Sequence, residues 1–200
     1  MVPYISYKDV LLKGTAASFM IALGVAVLLA QPIIGAFLFA LGLLVICERD
    51  FFLFTGKCGY TLRSYFFKSK IIPILIVNVI SGWLIGYLIG ICNPGFAIAA
   101  IEKITTWSPD YLINFLQAAF CGAIMFLAVD TYTITRRREK IGIFFGVPIF
   151  IFCGFQHCIA NSIILGIAGT FDIMLFIHIL GNWIGSIIIG ELFMRATSGY

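Results

Sequence analysis

The sequence predicts an all-α membrane protein: six transmembrane helices, arranged as two inverted three-helix repeats, with helices two and five broken. Three observations lead there. The 200 residues are 62% hydrophobic and only 11% charged, with a mean hydropathy of +1.08, whereas soluble domains carry about 25% charged residues. Six apolar runs approach the roughly 20 residues that a helix needs to cross a bilayer. Eleven of the thirteen lysines and arginines fall on alternate connections between those runs. Such a composition excludes a disordered chain, a coiled coil and a nucleic-acid binder, and the net charge of +4 reads as membrane topology.

The six runs are, in order, about Gly14–Gln31, Ile33–Gly56, Ile71–Cys92, Tyr111–Thr131, Ile141–Ala168 and Phe171–Met194. Run one follows Lys8 and Lys13 as a signal peptide would, but it exceeds an ordinary signal core and leads through Gln31-Pro32 straight into another run, so it is kept as a span. Lys57, Arg63, Lys68 and Lys70 border spans two and three, Arg136, Arg137, Arg138 and Lys140 separate four and five, and Arg195 follows six. By the positive-inside rule both termini are expected in the cytoplasm, with the chain a multi-pass protein of the plasma membrane. Cys47, Cys58, Cys92, Cys121, Cys153 and Cys158 form no CxxC or metal-type pattern and are expected to be free, buried thiols.

The halves resemble each other. An overlay at 100 residues sets Ser81–Gly90 on Gly181–Gly190 and Trp83 on Trp183. It divides one channel domain, 1–200, into repeats at about 10–95 and 110–195. Three spans per half invert the second copy, and inverted repeats place a transport site near the midplane, where interrupted helices meet. Span two is interrupted by Glu48-Arg49-Asp50 and Thr55-Gly56, and span five by Gly154, His157 and Asn161. Backbone leaves the helix at membrane depth only where protein or a cavity satisfies it, so the two breaks are expected to share a cavity. Gly82/Gly86/Gly90 and Gly181/Gly185 are spaced for close helix packing.

Gly154-Phe155-Gln156-His157-Cys158-Ile159-Ala160-Asn161 carries a G-F-[EQ]-H-x-x-A-N pattern, and Leu53-Phe54-Thr55-Gly56 follows the first break. With Leu127-Ala128-Val129 and Gly181-Asn182, these segments resemble the formate/nitrite transporter family, in order, over about residues 10 to 195. The resemblance implies an aquaporin-like protomer, a homopentamer with one pore per protomer, and conduction of small monovalent weak-acid anions. Formate is the first choice, with hydrosulfide, nitrite and lactate as alternatives. It makes His157 the central histidine, Thr55 the loop threonine and Asn182 a polar partner near the pore; Asn161 and Asn182 are expected to anchor the broken-helix backbone. Phe39, Leu53 and Phe150 are assigned by it to an outer constriction and Leu43, Phe54 and Met125 to an inner one. Phe51-Phe52 stand where the family has a small-plus-acidic turn, and an asparagine usual in the fourth helix falls at Gly122.

A small anion loses its hydration in hydrocarbon at prohibitive cost unless donors, positive potential or a proton compensate. An imidazole can serve either way. On arrival of the anion, His157 is expected to take up a proton and pass it to formate, while Thr55 donates a hydrogen bond. Glu48, Arg49 and Asp50, with Lys103, are candidate electrostatic elements; a self-neutralising or solvated cluster is the other reading. His178 reads as a structural contact between helices. The expected partners are a formate-like anion, protons, membrane lipid and four further copies of the chain, without nucleic acid. No enzymatic, cofactor or metal site is expected. A His-ligated haem protein would need paired histidines at one depth, and a water or small-solute channel would carry paired Asn-Pro-Ala turns.

Overall fold

The computed structural model describes residues 5–134 and 140–197 of the chain. All regular structure among them is helical. Helix α1 (Tyr7–Ala30) opens on a reciprocal cap in which the Ser6 hydroxyl accepts from the Asp9 N–H and the Asp9 carboxylate accepts from the Ser6 N–H. It ends at Gln31, because Pro32 forces the preceding residue out of helical geometry and then starts α2 (Pro32–Glu48) as its first residue. Helix α2 rises only ~26 Å by its length. Residues 49–53 then leave the helix, with Asp50 at φ 50°, before the short α3 (Phe54–Lys57) and a 3-10 turn at Cys58–Tyr60.

Helix α4 (Tyr65–Cys92) is followed by α5 (Pro94–Thr105), started by Pro94 and capped by Asn93, whose side chain accepts from the Gly95 N–H. Helix α6 (Tyr111–Ile134) leads to α7 (Ile141–Phe152), a break at residues 153–157 with Gly154 at φ 69°, and α8 (Cys158–Ile167). Helix α9 (Met174–Thr197) ends the described chain. Among the described residues, four helices are long and apolar enough to cross a membrane: Tyr7–Ala30, Ser69–Cys92, Tyr111–Thr133 and Met174–Ala196. Spans two and five are in two pieces each, as their ionisable residues and glycines predict. Helix α5 was expected as a plain connection and is a missed element. Arg136, Arg137 and Arg138 lie outside the described residues.

The polarity of the chain is inside out. Ile33, Phe171, Ile173, Phe145 and Ile188 are each more than 60% exposed, whereas Asn78, Asn114, His178, Asn182 and Ser186 are fully enclosed. That is the pattern of a membrane protein, in which only protein can satisfy polar groups at the depth of the hydrocarbon. All six cysteines are free; Cys47, Cys58, Cys121 and Cys158 are buried, but Cys92 and Cys153 sit on the apolar surface, correcting the expectation that all are enclosed. Both ends of the described chain lie at the same end of the bundle. Lys70 at the start of α4 sits over the Tyr7 ring, and Arg63, just before α4, forms a two-pronged ion pair with Glu191 near the end of α9.

Helices α6 and α9 approach until side chains no longer fit between them. A methyl group on Gly185 would fall on the Ala119 backbone, and one on Gly86 would strike the Ile163 carbonyl where α4 meets α8. Gly185→Ala is expected to lower the thermal midpoint of the detergent-purified protein, an overpacking loss of about 1–3 kcal/mol, measurable by a fluorescence melt. Gly122 meets the Asn182 backbone in the same way, so the asparagine usual at that family position has no room here.

The correspondence between halves runs at 104 residues. Asn78 Oδ1 accepts from the Phe54 N–H, the first of α3, and Asn182 Oδ1 accepts from the Cys158 N–H, the first of α8, both at 2.8 Å. Asn78 Nδ2 donates to the carbonyls of Gly14 and Phe52, and Asn182 Nδ2 to those of Ala118 and Gln156. Every partner is displaced by the same number of residues. The overlay at 100 residues, which pairs Asn78 with His178, is therefore out by four. That is about one helical turn, so it keeps apolar and small faces in phase and looks nearly as good.

Candidate functional site

The two breaks meet side chain to side chain. Thr55, in the first turn of α3, places Oγ1 3.0 Å from Nε2 of His157, the residue that caps α8. Both are buried, at 0% and 1% exposure. His157 Nδ1 accepts from the Ala160 N–H at 3.0 Å, so that nitrogen must carry a lone pair. In the neutral ring the hydrogen is then on Nε2 and donates to Thr55 Oγ1. Thr55 accepts, and its own hydroxyl hydrogen is left to turn to a third group.

Aromatic rings close one side of this pair. Phe150 stacks on the His157 ring with centroids 5.6 Å apart, and Phe39 meets Phe150 edge-on at 6.0 Å. Leu43, Met125, Leu53 and Phe54 are also fully enclosed. Leu53, assigned to the outer constriction, lines a cavity of about 90 Å³ together with Cys47, Asp50, Lys57 and Tyr132, at the end of the bundle that holds the chain termini. Phe54 packs edge-on against Trp183 of α9 and does not line that cavity. Consecutive residues at the start of a short helix point in different directions, which a linear motif does not reveal.

Asn161 and Asn182 both hold the second break. Asn161 Nδ2 donates to Gln156 Oε1 at 2.9 Å, and Asn182 clamps the Gln156 carbonyl and the Cys158 N–H on either side of His157. Asn78 does the same work for the first break and was not among the residues expected at the site. Its signal was present: an asparagine in the middle of an otherwise apolar span.

The charged candidates are dispersed. Glu48 forms an exposed ion pair with Lys140 at 2.6 Å, joining the end of α2 to the start of α7; the carboxylate beside it holds the Lys140 ammonium above the ordinary lysine range. Arg49 is exposed at the end of α2, and Asp50 lines the cavity of about 90 Å³. Lys103 borders a crevice of about 520 Å³ at the opposite end of the bundle, with Glu102, Thr106 and Phe152. The hydrogen bonds of the His157 ring go to Thr55 and Ala160 instead. Lys57, read from sequence only as a topology marker, is the lysine that reaches the terminal-end cavity, two residues after Thr55. No group of three or more His, Cys, Asp or Glu among the described residues could hold a metal ion.

A solved structure described as a pentameric formate channel with formate bound superposes with a TM-score of 0.71, at 17% identity, covering 95% of each chain. The fold is that of a formate/nitrite transporter channel. A second solved FNT family ion channel gives a TM-score of 0.70 at 18% identity, covering 97% of this chain and 88% of the other. An uncharacterised transporter of Bacillus subtilis (strain 168), YrhG, is 25% identical in an alignment of 184 positions that covers 82% of this chain and 69% of that protein. No family model matches the sequence. Within this fold the two broken helices bring Thr55 and His157 together, with an aromatic pair on one side and a lysine-bearing cavity toward the chain termini.

Proposed function

We propose that the chain is a channel for small monovalent weak-acid anions, with formate the first substrate and hydrosulfide, nitrite and lactate the alternatives. The contact that carries this reading is Thr55 Oγ1 to His157 Nε2 at 3.0 Å, buried where the broken helices converge in an FNT fold. An anion arriving there is met by a hydroxyl whose hydrogen is available because His157 donates to its oxygen. The donors are fixed in advance and need little reorganisation. Each chain is one channel domain. Six membrane passages as two inverted three-helix repeats are supported by the hydrogen bonds repeated at Asn78 and Asn182. The excess of basic residues at the end with both termini supports a cytoplasmic location for that end, in the plasma membrane. A homopentamer is proposed from the likeness to the pentameric formate channel.

Transfer of a proton through His157 is the finer part of the proposal. A second proton on the ring must go to Nδ1, which is the acceptor for the Ala160 N–H. Proton transfer to the anion therefore requires that cap to open, and conduction and local opening at the start of α8 are coupled. Proteoliposomes offered formate, nitrite, hydrosulfide and lactate at several pH values test the reading. Formate is expected to pass fastest, and Thr55→Val to slow it by about tenfold, the worth of one hydrogen bond to a charged group. Vesicles impermeable to all four anions, with protein correctly inserted, would overturn it.

A further inference from the structure

The second histidine is as enclosed as the first, and conduction through His157 does not explain it. His178, on α9, is 0% exposed and lies between α6 and α8, with the Trp107 ring against it edge-on at 5.0 Å. Its Nδ1 is 2.9 Å from Asn161 Nδ2, and its Nε2 is 3.1 Å from Asn114 Oδ1.

The directions of these bonds follow from chemistry alone. An amide nitrogen only donates, so His178 Nδ1 is an acceptor and its hydrogen is on Nε2. That hydrogen matches Asn114 Oδ1, whose own NH₂ group donates to the carbonyls of Ser108 and Asp110 in the turn between α5 and α6. The other hydrogen of Asn161 Nδ2 goes to Gln156 Oε1. Gln156 donates in turn to Gln117 of α6 and to the Gly154 carbonyl, each at 3.3 Å. Gln156 precedes His157 directly. One polar chain therefore runs from the α5–α6 turn, through Asn114, His178 and Asn161, to the segment that holds the central ring.

We propose that His178 is a positioning residue for His157, acting by accepting at Nδ1 the hydrogen bond that orients Asn161, and through it Gln156. This rests on the reading of the chain as a channel that works through His157. With Asn161 held by His178, its second hydrogen is aimed at Gln156, and the break can adopt one arrangement. Without that acceptor, the Asn161 amide is free to rotate, Gln156 loses its donor, and the His157 ring loses the support that aims Nε2 at Thr55. A buried chain of this kind is cooperative, since reversing one amide reverses its neighbours.

The protein has two histidines, so ¹⁵N-histidine labelling gives two imidazole spin systems, assigned by comparison with His157→Phe. In the wild-type protein both rings are expected as neutral tautomers with hydrogen on Nε2. A His178 ring protonated on Nδ1 would overturn the proposal without any variant being made. His178→Leu removes the acceptor, whereas His178→Asn places an amide oxygen close to the position of Nδ1 and keeps it. Formate flux is expected to fall about tenfold in His178→Leu, with the His157 resonances displaced, and to return to within about twofold of wild type in His178→Asn. Loss of flux with unmoved His157 resonances would overturn it, as would a His178→Asn protein no better than the leucine variant. Wild-type vesicles without anion flux would instead defeat the channel reading, while the His157 resonances in the variants would still decide the positioning role.

Discussion

His157→Phe is expected to cut formate flux in proteoliposomes by roughly ten- to a hundredfold, because a hydrogen bond to a charged group is worth about 1.5–3 kcal/mol. The argument rests on the two jobs of the ring. Nε2 polarises Thr55, and Nδ1 caps α8 by accepting from Ala160. Phenylalanine removes both, so a loss of flux by itself does not say which job matters. Asparagine separates them. It is among the preferred residues at helix N-termini and its oxygen can take over the Ala160 bond, but it does not extend to the position of Nε2. His157→Asn is therefore expected to purify and melt like wild type yet conduct as poorly as the phenylalanine variant. Equal flux in His157→Asn and wild type would show that the ring serves only as a cap.

Asn182→Ala is expected to cost roughly 3 kcal/mol or more, enough to lower sharply the yield of folded protein. The Cys158 N–H and the Gln156 carbonyl flank the break and belong to no helical ladder, and Asn182 satisfies both. Unsatisfied buried groups cost about 1–3 kcal/mol each, against a total stability of about 5–15 kcal/mol for a domain. Asn78→Ala removes the matching bonds at Phe54 and Phe52 and is expected to cost about the same. Detergent-purified variants compared by thermal melt test this. An Asn182→Ala protein that melts with wild type would mean that other groups or water satisfy the break.

Hydropathy alone located the apolar runs, because bilayer thickness imposes a length on them. The breaks were legible because Glu48-Arg49-Asp50 and Gly154 cannot continue an apolar helix in lipid unaided. His157, Thr55, Asn161 and Asn182 were picked out through the octet, the L-F-T-G segment and Gly181-Asn182, and the two breaks do converge on the first two of them. Helix α5 was not, since twelve residues between two spans carry no bilayer constraint and Lys103 beside Glu102 reads as a polar loop. The packing directions of Leu53 and Phe54 were not legible, for a different reason. Side-chain direction at the start of a four-residue helix depends on the turn before it, and Asp50 enters that turn at positive φ. The true spacing of the halves was obscured by helix periodicity. The tautomers of both histidines needed three-dimensional partners, because no linear pattern says which nitrogen faces a backbone amide.

The cap at Nδ1 also dictates how a blocking drug could grip the central ring. One nitrogen is already committed to the protein backbone, so a metal complex or a hydrogen-bonding inhibitor has a single point of attachment, Nε2. It must come from the Thr55 side and evict a hydroxyl to reach it. A compound designed to bridge both nitrogens would have to unwind the start of α8 before it could bind.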